Sequence, residues 1–77
     1  MQPKIDETTL GQKLVGINFN PSDLSAVSRV KQTIANLIDE VNLSAADDYA
    51  SIIIRANAIN RLIEAQMWTV KALTYKP

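Results

Sequence analysis

From Tyr49 onward the chain carries an apolar stripe that only a long helix can organise. Tyr49, Ile52, Ala56, Ile59, Ile63, Gln66, Val70 and Leu73 advance by threes and fours, one face of a 3.6-residue period broken once by a polar side chain. A second set runs beside it, Ile53, Ile54, Ala58, Leu62, Ala65, Met67, Trp68 and Ala72, so that 16 of the 25 residues from Tyr49 to Leu73 are apolar. A stripe that wide exceeds what one neighbouring helix covers. Ser44-Ala45-Ala46-Asp47 precedes it, with a hydroxyl placed to cap a free N–H and an acid in the first turn. The pattern resembles a capping box with Asp in the place of Glu or Gln, and the predicted helix spans about 45–73.

Upstream, Val27, Val30, Ile34, Leu37 and Val41 repeat at 3-4-3-4 spacing, which predicts a second amphipathic helix over about 21–42. Its start reads Asn20-Pro21-Ser22-Asp23: Asn20 as N-cap, proline at the first helical position and Asp23 complementing the dipole, with Ser22 as the alternative cap. The link Asn42-Leu43-Ser44 is so short that the two long helices are expected as antiparallel neighbours. A short helix is predicted over about 6–15, with Leu10, Leu14 and Val15 on one side and Gly16 as the left-handed residue after its end. Ile17 and Phe19 then lie in a loop and need cover. With no repeat or linker in its 77 residues, the chain reads as a single all-α domain over 1–77. The expected architecture is a short N-terminal helix followed by a long antiparallel helical hairpin, assembling as a compact homo-oligomer.

The same sequence removes most chemistries. It has no cysteine and no histidine, which excludes a disulfide framework, a zinc site of the usual kind and any triad that uses imidazole. Two glycines cannot make a Gly-rich phosphate loop. The adjacent acids Asp39-Glu40 and Asp47-Asp48 point in different directions on a helix, so no carboxylate pair converges in an apolar groove. The chain is expected to be no enzyme and to carry no metal or cofactor. The polar start Met1-Gln2-Pro3-Lys4 lacks the apolar segment of a signal peptide, and Ile52-Ile53-Ile54 is far short of the roughly 20 residues of a membrane span. A cytoplasmic protein away from the membrane is expected.

Eight basic and eight acidic side chains sum to zero, which argues against a broad grip on long nucleic acid. The sum conceals a separation. Antiparallel pairing about Leu43 sets residue x against about residue 86 − x. Asp39, Glu40, Asp47 and Asp48 then gather at the turn, and Lys31 comes level with Arg55, with Arg29 and Arg61 further away. Lys31 and Arg55 both flank apolar seams, as phosphate-binding cations at an interface or as snorkelling partners of ion pairs. The helix start at Asn20 and Ser22 is a potential phosphate seat. Phe19 either stacks on a base or plugs the end of the hairpin. Met67 and Trp68 read as core or as subunit interface, together with Ile59 and Leu62. Gln66 is expected at a polar layer between protomers.

Residues 55–72, with Arg55, Leu62, Glu64-Ala65, Met67-Trp68 and Lys71-Ala72, resemble the last helix of the small phage anti-CBASS sponge proteins, whose hairpin domain is shared with a Thoeris anti-defence sponge. Val15-Gly16-Ile17-Asn18-Phe19-Asn20-Pro21-Ser22 looks like the N-terminal part of that family, and the likeness runs from about Gly11 to Thr74. The resemblance implies a homo-hexamer in the cytoplasm of an infected bacterial host. Such a sponge binds cyclic dinucleotides or trinucleotides in pockets between protomers and withholds them, uncleaved, from CBASS effectors. It also implies Arg55 as the phosphate-contacting arginine, Phe19, Asn20 and Ser22 at the phosphates and bases, and Lys13 or Lys31 as a binding lysine. A helical oligomerisation or partner-binding module with no nucleotide ligand is the alternative.

Overall fold

The computed structural model describes residues 7–44 and 47–77. It is all-helical over them: α1 spans Leu10–Val15, α2 Ser25–Leu43 and α3 Tyr49–Thr74. Both α1 and α3 pack chiefly on α2, and α1 touches α3 more narrowly. No helix among the described residues is long and apolar enough to cross a membrane.

The first helix begins four residues later than its expected start, at a cap that Thr9 forms with Gln12. The Thr9 hydroxyl accepts the Gln12 N–H at 3.1 Å and the Gln12 side chain accepts the Thr9 N–H at 3.0 Å, a reciprocal capping box. The expected first residue, Asp6, lies outside the described residues. At the other end Gly16 has φ 65°, the left-handed conformation anticipated for it. The buried residues of α1 are Gly11 and Val15, whereas Leu10 and Leu14 are half-exposed. Gly11 is the contact point: its N–H donates to Asp39 Oδ1 at 2.7 Å, and a β-carbon built on it would lie 2.1 Å from the Ala35 carbonyl oxygen. Asp39 therefore faces α1 instead of joining the other acids at the turn.

The second helix starts at Ser25, and neither Asn20 nor Ser22 is its N-cap. That position falls to Leu24, which has no capping side chain. Asn20-Pro21-Ser22-Asp23 forms a turn instead, closed by the Asp23 N–H on the Asn20 carbonyl at 3.0 Å. Proline suits the second position of a turn as well as the first of a helix, and Asp23 follows at φ 57°. Because α2 is covered on two sides, its buried residues are Val27, Lys31, Ala35 and Ile38, and Leu37 of the expected seam is 48% exposed. Val15, Ala35 and Ile38 form the core, with Ile17, Ile34, Ile59, Leu62 and Ile63 packed around it. Full burial of Val27 and Ile38 stabilises the fold by about 1.5–3 kcal/mol each.

The third helix is capped by Asp48 rather than Ser44. Asp48 accepts the Ser51 hydroxyl at 2.5 Å and the Ser51 N–H at 3.3 Å, while the Ser44 hydroxyl donates back to Val41. Ala45 and Ala46, the expected first residues, lie outside the described residues. The Ser51 hydroxyl, and then its N–H, hold the Asp48 carboxyl below its ordinary value. A depressed carboxyl stabilises the fold above its unfolded pKa and loses that contribution as pH falls through the folded one. The first turn of α3 is therefore expected to open below about pH 4. Protection of the Ser51 amide against exchange, relative to its intrinsic rate at each pH, would fall there, and Asp48→Asn would flatten the dependence.

Candidate functional site

Lys31 shows how α2 shapes the surface beside it. It is 5% exposed, and its ammonium donates to the carbonyls of Gly16, at 3.1 Å, and Phe19. Those two carbonyls belong to the loop that leaves α1 at its left-handed glycine, so one buried cation anchors the loop to α2. The Phe19 ring is 70% exposed, with Lys31 Nζ 5.4 Å from its centroid, within cation–π range. Phe19 is thus no plug; it presents a face to solvent. Asn20 fixes the other end of the loop, its amide donating to the Leu24 carbonyl at 2.9 Å and the Ser28 hydroxyl at 3.0 Å while accepting the Ser22 hydroxyl at 2.6 Å.

The anchored loop walls a groove of about 460 Å³ lined by Val15, Phe19, Asn20, Pro21, Ser22, Val27, Lys31, Gln66, Met67, Val70 and Thr74. Four expected ligand residues, Phe19, Asn20, Ser22 and Lys31, are brought together there. The chemistry differs from the expected phosphate seat. The Asp23 N–H is used in the turn, and the start of α2 from Leu24 to Ala26 is not part of the groove's lining, so its donors do not supply the expected seat. What remains is an apolar trough with an aromatic face, a cation behind it and, on its α3 wall, Gln66.

Lys13 lines a second, shallower hollow of about 410 Å³ with Thr8, Gln12, Gly16, Ile17 and Asn18, and Phe19 is common to both. Arg55 is elsewhere: it donates to the carbonyls of Asn42 at 3.3 Å and Ser44 at 2.6 Å, the last turn of α2 and its cap. Lys31 and Arg55 do not come level, because the connection runs from Leu43 to Tyr49 and is longer than Asn42-Leu43-Ser44. Of the four expected interface residues, Ile59 and Leu62 pack on the core within the chain, while Met67 and Trp68 are 63% and 64% exposed. Trp68 lies under Lys71, whose Nζ is 5.2 Å from the ring centroid.

Gln66, which breaks the stripe and was expected at a polar layer between protomers, is already buried within the single chain, the one buried residue of the 26 in α3, at 6% exposure. That break was the signal, since a polar residue inside an apolar face needs a partner. Comparison of the chain with protein-family models, curated proteins and solved structures finds no match.

Proposed function

We propose that the protein is a binding protein without catalytic activity, a sponge that sequesters cyclic oligonucleotide signals such as cyclic dinucleotides or trinucleotides. The observation that carries this reading is the open Phe19 ring poised over the buried Lys31 ammonium at the mouth of an apolar groove of about 460 Å³. An exposed aromatic face stacks on any base, and a cation behind it favours the phosphates of the same ligand. The groove's volume lies within the range of small-molecule sites. The ligand class proposed here, and action in the cytoplasm of an infected bacterium, follow the resemblance of residues 55–72 to the anti-CBASS sponges. In this reading α2 and α3 form the antiparallel hairpin, and copies assemble, as a hexamer, so that a neighbouring chain completes each groove.

Assembly has its own support. Leu43, Tyr49, Ile52, Ile53 and Ile54 are between 43% and 82% exposed around the connection of α2 to α3. Their exposure also favours the second reading, an assembly module without ligand. The radius of gyration, 14.6 Å, exceeds the roughly 11.5 Å of a compact chain of this length.

Calorimetric titration with cyclic dinucleotides, cyclic trinucleotides and cyclic ADP-ribose separates the two. Saturable binding, with the ligand recovered intact, is the expected result. Absence of binding to every member would sink the sponge and leave the assembly module, and the mass of the intact particle gives the number of copies.

A further inference from the structure

We propose that Gln66 is the residue through which the groove selects its ligand, its carboxamide taking the donor–acceptor edge of an adenine base. This rests on reading the groove as a nucleotide site.

A buried amide must find hydrogen-bond partners or leave its burial uncompensated. Gln66 is 94% buried, since its exposure is 6%, and it lines the groove among Val15, Val27, Met67 and Val70. None of these four side chains can accept or donate a conventional hydrogen bond, and the polar side chains of the lining, Asn20, Ser22, Lys31 and Thr74, hydrogen-bond elsewhere. Among the described residues the Gln66 amide has no hydrogen-bond partner. Nor is it sealed away, because among the described residues no fully buried side-chain nitrogen or oxygen lacks a partner. The amide therefore opens into the groove with one donor group and one acceptor side by side, in apolar surroundings that a structural role does not explain.

An apolar residue would pack this position better, so the polar one fits a ligand. A carboxamide is complementary to a flat edge that places an acceptor next to a donor, as adenine does with N7 and its N6 amino group. Guanine fits less well. Its N7/O6 edge offers two acceptors, and its other edge adds a 2-amino donor that the amide cannot satisfy within an apolar wall. Specificity then comes from the polar group left without a partner when the wrong base enters.

The test uses the full chain and two variants, Gln66→Leu and Gln66→Glu, each titrated with cyclic di-AMP, cyclic di-GMP, AMP and GMP. Gln66→Leu is expected to melt at or above the wild-type temperature with the particle mass unchanged, and to bind cyclic di-AMP roughly tenfold to hundredfold more weakly. Gln66→Glu is expected to turn the preference toward cyclic di-GMP, because a carboxylate offers two acceptors to the N1–H and 2-amino donors of guanine. Lower melting of Gln66→Leu would make the amide structural, and a changed mass would assign it to a contact between copies; either result overturns the proposal. So does undiminished cyclic di-AMP binding by Gln66→Leu, which leaves the sponge standing. Wild-type binding of AMP alone, lost in Gln66→Leu, keeps the base-reading role and counts against a cyclic dinucleotide as the ligand, with the sponge left to the cyclic trinucleotides of the wider panel. Binding of none of the four overturns the base-reading role, and the wider panel then decides the sponge.

Discussion

Gly11→Ala is expected to separate α1 from α2 and to lower stability by about 3 kcal/mol, the upper end for overpacking a tight contact. The added methyl would lie 2.1 Å from the Ala35 oxygen, 2.8 Å from the Ala35 carbonyl carbon and 2.8 Å from Asp39 Oδ1. Two of those atoms are backbone of a helix interior and cannot swing aside. The only relief is to lift α1, which stretches the 2.7 Å bond from the Gly11 N–H to Asp39 and withdraws Val15 from the core. For a domain of this size, 3 kcal/mol corresponds to a fall of roughly 12–24 °C in melting temperature. Gly16→Ala is the control. Its φ of 65° disfavours alanine by about 1–2 kcal/mol, yet the new carbon would meet only Phe19 Cβ at 3.7 Å, an ordinary contact. A melting series in which Gly16→Ala is the more damaging of the two would show that α1 docks without the close approach.

Lys31→Met is expected to be comparably severe and to act on the groove directly. Methionine keeps the length of the stem but leaves the Gly16 and Phe19 carbonyls without the ammonium. Each hydrogen bond to a charged group contributes about 1.5–3 kcal/mol, and Gly16 retains a second partner in the Phe19 N–H at 2.9 Å. The net loss is therefore about 3 kcal/mol. Phe19 also loses the cation beside its ring, so ligand binding should fall by more than the loss of stability explains. Lys31→Arg keeps the charge but brings a planar fork to a site shaped for a compact ammonium, and full rescue is not expected. Binding by Lys31→Met with wild-type affinity would show that the loop holds its conformation without the lysine.

The elements were more legible in the sequence than their relative placement. Gly16 and the stripe from Ile59 to Val70 act through local geometry, so spacing reveals them, whereas the Thr9–Gln12 capping box, inside the expected start at Asp6, was not foreseen. Asn20-Pro21-Ser22 misled because proline serves a turn and a helix start alike. The register of 86 − x failed for a related reason: a connection read as three residues extends to Asp48, and every pairing inferred across it moves. Gly11 gave no signal, since a glycine within a helical pattern does not disclose that a carbonyl from elsewhere lies against it. Lys31 and Arg55 stand out in the sequence as cations beside apolar seams. The partners they take are backbone carbonyls, which carry no mark in a sequence.

One consequence follows from the length of α1. Six residues are too few to hold a helix on their own, so α1 is ordered only while it rests on α2. Val15 and the Gly16–Phe19 loop belong to the groove, which therefore exists only in that docked population. Where the competent fraction of molecules is f, the apparent dissociation constant is the intrinsic one divided by f. Any ligand of the groove is thus bound with a strength set partly by how closely Gly11 lies on Ala35, a contact no ligand touches.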